Sequence, residues 1–218
     1  MDFGSAFAYP TRDSEWIKKT LIGGVLSIVP IANFIPTGHM LAIADQVSRN
    51  DTPSMPEWND LGAYFMKGLG VVAITIVYLL PMMLLLGCGY GVTFGLLAAS
   101  GGGDPDTIEG TLNLALVGVQ CVAIVLGLLC SLLIPPALTE YVVAGRLGAA
   151  FNIGAVLAEF RQRVGPYVVL TVAIVVVSWV ASLVGVMLCF VGVIFTMPYV
   201  NFVYGHLLGQ IVAARRIQ

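Results

Sequence analysis

Polar and apolar positions in this chain alternate over tens of residues. Three apolar zones, 21–47, 69–145 and 164–214, are each longer than the about 20 residues a helix needs to cross a bilayer core of about 30 Å. The second zone breaks at S100-G-G-G-D-P-D-T-I-E-G110, which predicts helices over 69–99 and 111–145, the latter kinked at Pro135-Pro136. The third is too long for one span and divides at a turn near C189-F-V-G192. The first holds Pro30 and Pro36 around I31-A-N-F-I35, and fits either one kinked span or a hairpin of helices over 14–29 and 33–49.

Charge separates these two forms, because Lys and Arg gather on the cytoplasmic side of short loops. With a hairpin, all ten basic residues fall on one side, and the other side holds Asp104, Asp106, Glu109 and two uncharged turns. A single crossing would cut Arg12, Lys18 and Lys19 off from the rest. The expected form is therefore the hairpin, in the cytoplasmic (inner) membrane with both termini cytoplasmic. Its first arm, about 16 residues and about 24 Å long, leaves a re-entrant path open.

Two amphipathic segments separate the hairpins. In 55–68, Ser54 and Glu57 form an S-x-x-E capping box, and Trp58, Leu61, Phe65 and Leu69 follow at spacings of three and four. In 150–163, Ile153, Val156, Leu157 and Phe160 share a face beside a Glu159/Arg163 pair at i,i+4. Helices of this kind lie in the headgroup plane. The expected fold is an all-α integral membrane protein in one polytopic domain. It has about six hydrophobic helices as hairpins 14–49, 69–145 and 164–216, with cytoplasmic interfacial helices at 55–68 and 150–163.

Composition agrees. The chain of 218 residues is 58% hydrophobic and 10% charged, with mean hydropathy +0.94; soluble domains carry roughly 25% charged residues. A net charge of −2 without a basic run argues against nucleic-acid binding. The first twenty residues place charges ahead of any apolar run, unlike a cleavable signal peptide. Cys88, Cys121, Cys130 and Cys189 lie in apolar runs without CxxC spacing and are expected to be buried thiols.

Y9-P-T-R-D-S-E-W-I-K-K-T-L-I-G-G24, P56-E-W-N-D60 and K67-G68 resemble the uncharacterised bacterial and archaeal membrane family called domain of unknown function 4013. That family is thought to be related to the membrane-anchor region of some glycerophosphodiester phosphodiesterases. The resemblance covers most of the chain and is clearest over the first seventy residues. It implies a multi-helix membrane domain with no assigned reaction, and no catalytic residue carries over.

Ionisable groups inside a membrane are costly, which makes them functional candidates. His39 lies about 15 Å before Arg49 along its helix and His206 about 13.5 Å before Arg215, so both are expected at mid-membrane depth, each after a glycine. Thr139, Glu140 and Asn201 complete a candidate polar cluster. The two imidazoles could ligate haem or a chlorophyll-type pigment, or simply hydrogen-bond within the bundle. No cofactor or dedicated metal site is the expectation. No G-x-S-x-G, H-E-x-x-H or P-loop occurs, so no catalytic residue is assigned. The expected role is a scaffold, membrane-shaping element or accessory subunit that packs against lipid, itself or other membrane proteins. The alternatives are a small-solute or ion transporter and a pigment- or haem-carrying subunit.

Overall fold

The structure, a computed structural model, describes residues 1–50, 54–99, 105–188 and 192–217, with backbone alone at 105–109 and 111. Every regular element among them is helical: α1 Phe3–Arg12, α2 Trp16–Ile28, α3 Phe34–Ser48, α4 Leu61–Ala99, α5 Pro105–Ser131, α6 Ile134–Ala144, α7 Ile153–Gln162, α8 Val164–Met187 and α9 Val193–Arg216. A 3-10 turn at Leu147–Phe151 leads into α7.

Among the described residues, three stretches are long and apolar enough to cross a membrane: Leu61–Ala99, Leu112–Ala144 and Val164–Met187. Six spans were expected. α2 and α3, with 13 and 15 residues, rise only about 20–23 Å, and α9 interleaves Asn201, His206 and Gln210 with its apolar residues.

Residues 1–74 and 135–218 form one compact unit, and 75–134 form a second. In the first unit α9 is the axis, packed by α1, α2, α3 and α8. Phe202, Val203, Leu207, Leu208 and Val212 on it are fully buried. Gly205 and Gly209 form a G-x-x-x-G face on α3; a methyl at Gly205 would come 2.5 Å from the Met40 carbonyl oxygen. Small residues at this spacing let helix backbones meet. α3 and the start of α4 interlock in the same way. A methyl at Gly38 would collide with the Tyr64 carbonyl, and one at Gly68 with the Phe34 carbonyl.

In the second unit, α4 beyond Thr75 runs antiparallel to α5. Gly89 faces Val119, Gly127 faces Met82, and the Tyr90 hydroxyl donates to Gln120 Oε1 at 2.7 Å. The outer faces are apolar and open, with Leu96 67% and Leu114 76% exposed. Cys88 and Cys121 are also exposed, not buried, because a two-helix pair has too little interior to enclose them.

Other expectations are corrected here. Residues 3–12, to which no helix was assigned, form α1, whose first turn is capped by Asp2 Oδ1 accepting from Ser5 N at 3.0 Å. The segment 55–68 is not one interfacial helix: 55–60 are non-helical, and 61–68 are the first turns of α4. The cap is Asp60, whose Oδ1 accepts from Ala63 N at 2.9 Å, and not the Ser54/Glu57 box. Helix α5 already starts at Pro105, inside the expected loop, with proline at the first position where its missing N–H costs nothing. Pro135-Pro136 open α6 after a break at 132–133, so the expected kink is a helix start. The glycine run 100–104 and the turn at 189–191 lie outside the described residues.

Candidate functional site

The segment 55–58 turns inward as a plug against α2 and α3. Met55 is 2% exposed and packs with Tyr9, Ile43 and Phe202. Lys19 is equally enclosed, and a buried ammonium needs acceptors for its protons. Its Nζ donates to Asp13 Oδ2 at 2.8 Å, to the Met55 carbonyl at 2.7 Å and pairs with Glu57 Oε1 at 2.7 Å. Asp13 in turn accepts from the amides of Met55 and Glu15, each at 2.8 Å. Burial alone would raise the Asp13 pKa, but these hydrogen bonds outweigh it and hold the carboxyl below its ordinary value. Trp58 Nε1 donates to the Lys19 carbonyl at 3.2 Å, closing the plug over α2.

His39 is the other side of this clasp. Its ring stacks on Trp58 with centroids 4.0 Å apart and planes 14° apart. Its Nε2 lies 2.9 Å from the Pro56 carbonyl oxygen, which can only accept, so Nε2 carries the proton. Among the described residues, Nδ1 is buried without a hydrogen-bond partner. A second proton there would be an unsatisfied buried donor, which favours the neutral ring.

A charged layer gathers the C-terminal ends of α3, α6 and α9. Asp45 accepts from Arg49 and from Arg216, at 3.0 and 2.9 Å. Glu140 pairs with Arg215 at 2.7 Å. Arg215 also reaches Glu159, which pairs with Arg163 at 2.6 Å. The Tyr167 hydroxyl lies 2.9 Å from Glu159 Oε1 and 3.1 Å from Thr139 Oγ1. A cavity of about 370 Å³ opens onto Glu140, Glu159, Arg163 and Arg215.

The expected cluster of His39, Thr139, Glu140, Asn201 and His206 is thus distributed over separate settings. Thr139 and Glu140 join the α6–α7–α9 network. His39 belongs to the plug. His206 packs against Tyr9 at 4.7 Å, with Nδ1 3.2 Å from Gln210 Nε2. Gln210 also accepts from the Asp2 amide at 2.7 Å, which clips α1 to α9. Asn201 is half-buried on α9. A planar cofactor at His39 would have to displace Trp58 from one ring face.

The proposed interfacial stripes also divide. Trp58 and Phe65 turn inward, Phe65 lying 5.8 Å from Phe34, while Leu61 stays exposed. In α7, capped by Asn152, Val156 is buried, Ile153 is exposed, and Leu157 and Phe160 lie between. The Glu159/Arg163 pair forms as spaced. Sequence reasoning missed Asp13, Lys19 and Glu57 as one ionic centre. The available signal was a lysine entering an apolar helix, which needs an acid from elsewhere in the chain.

The chain belongs to the family described as a protein of unknown function (DUF4013), matched over residues 22–190. No curated protein and no solved structure matches it.

Proposed function

We propose that the protein is a non-enzymatic, membrane-embedded packing element: a scaffold, membrane-shaping component or accessory subunit of a larger assembly in the inner membrane. The observation that carries this reading is a contrast in how side chains are used. The ionic groups of the α9-centred unit are largely consumed by one another. Large apolar side chains of α4, α5 and α8 stand open, including Leu114, Trp179 and Met187 at 70–81% exposure. Apolar faces of this extent need lipid or another apolar protein surface to cover them. The meeting of Arg49, Arg215 and Arg216 at neighbouring helix ends supports a single cytoplasmic charged layer.

Gentle detergent extraction followed by a subunit list and cross-linking tests this reading. Co-purifying membrane partners or stable self-association are expected. Recovery of the chain from the carbonate-washed supernatant would overturn its membrane embedding.

A second reading, a small-solute or ion path, is favoured by the cavity onto Glu140, Glu159, Arg163 and Arg215. Liposome flux abolished by Glu140→Gln would establish it over the packing role.

A further inference from the structure

Two adjoining cavities of about 450 and about 140 Å³ share Asp45, Arg49 and Lys67 in their walls. The smaller is backed by Leu41, Tyr141 and Val142 from α3 and α6, and the larger extends to the plug at Pro56 and Glu57. Among the described residues, two carboxylates and two cations face this space, and each carboxylate also has a cation outside it. Asp45 is held by Arg216 as well as Arg49. Glu57 shares Lys19 with Asp13.

Arg49 grips Asp45 side-on through Nε and Nη2, at 3.1 and 3.0 Å, which among the described residues leaves Nη1 available. Lys67 is half-buried and, among the described residues, has no acceptor within bonding distance. A half-desolvated ammonium next to a guanidinium with spare donors calls for an anion. Met66 and Leu69, flanking Lys67 on α4, are 64% and 42% exposed and apolar. A ligand with an anionic head and an apolar body therefore matches the surroundings of the cavity mouth.

We propose that the cavity formed by α3, α4, α6 and the plug binds a phosphate group, held by Lys67 and Arg49 and presented by an anionic phospholipid headgroup. This rests on the membrane-embedded reading above. Basic pockets between membrane helices on the cytoplasmic side take lipid phosphates in this way. The charge balance favours a headgroup with net negative charge over a zwitterionic one, whose quaternary amine would meet the same two cations.

The test uses the full chain, delipidated in neutral detergent and titrated with phosphatidylglycerol, with phosphatidylcholine, and separately with inorganic phosphate. The wild type is expected to prefer phosphatidylglycerol to phosphatidylcholine by about ten-fold or more, and Lys67→Gln to reduce that preference about five-fold. Arg49→Gln should reduce it similarly, while Arg161→Gln, at an exposed position on α7, leaves it unchanged. Melting curves of each variant separate lost binding from lost folding, since Asp45 keeps Arg216 when Arg49 is replaced. Stabilisation by millimolar inorganic phosphate, lost in Lys67→Gln and not matched by phosphatidylglycerol, would support the phosphate site and assign it a soluble ligand. Equal binding of both lipids by the wild type, or an unchanged preference in both site variants, overturns the proposal. Flux through liposomes would overturn the packing role and leave this site standing.

Discussion

The α9-centred unit carries all ten Lys and Arg of the chain and the stretch 75–134 carries none, and the two are held together differently. In the first, glycines touch backbone and ion pairs are enclosed. In the second, Gly87, Gly91, Gly95 and Gly118 have open space around them among the described residues, and the interhelical polar contact described is Tyr90 to Gln120. Glycine frequency alone therefore does not identify a helix crossing. What identifies one is a carbonyl waiting where the methyl would go.

The contrast can be broken hardest at Lys19. Lys19→Met leaves Asp13 buried without its cation and is expected to cost about 3–5 kcal/mol, read as a lower midpoint in a denaturation titration in detergent. A variant that unfolds with the wild type would dissolve the idea of an ionic clasp. Gly38→Ala pushes a methyl into the Tyr64 carbonyl and is expected to cost about 1–3 kcal/mol through forced separation of α3 and α4; an unchanged melting temperature would contradict that crossing.

Acid is a gentler probe of the clasp. Because the folded carboxyl of Asp13 has a lowered pKa, its stabilisation is fully present above the ordinary value of 3.8 and is lost as pH falls through the lowered one. Melting temperature should therefore fall below about pH 4 in the wild type, and Asp13→Asn should remove that part of the decline. Smallest, and of opposite sign, is Gly91→Ala. With nothing within 4 Å, it should gain about 0.5–1 kcal/mol from helix propensity alone. A loss there would mean that the face is already occupied.

Much of the fold was legible in the sequence. The break between α2 and α3 falls at the I31-A-N-F run, and α7 with its Glu159/Arg163 pair follows from spacing. These depend on neighbours a few residues away. The pairing of Asp45 with Arg216 joins positions 171 apart, and no periodicity encodes it. The S-x-x-E signature at Ser54 was a sound local signal that lost to tertiary forces. Glu57 and the Met55 carbonyl are drawn to Lys19, and Trp58 to His39, so the helix waits until Asp60. Counting residues along a helix gave His39 and His206 a shared depth, but it could not show that one is roofed by a loop and the other by α1.

The axial position of α9 has a consequence for biogenesis. A ribosome releases this helix after α1–α8, so the earlier helices emerge with the surfaces meant for it still bare. Gly24 and the α3 backbone at Met40 and Ala44 then stay uncovered until residues 193–216 arrive. Closure of this unit thus waits for α9, and quality-control proteases would meet its partner helices uncovered at every earlier stage.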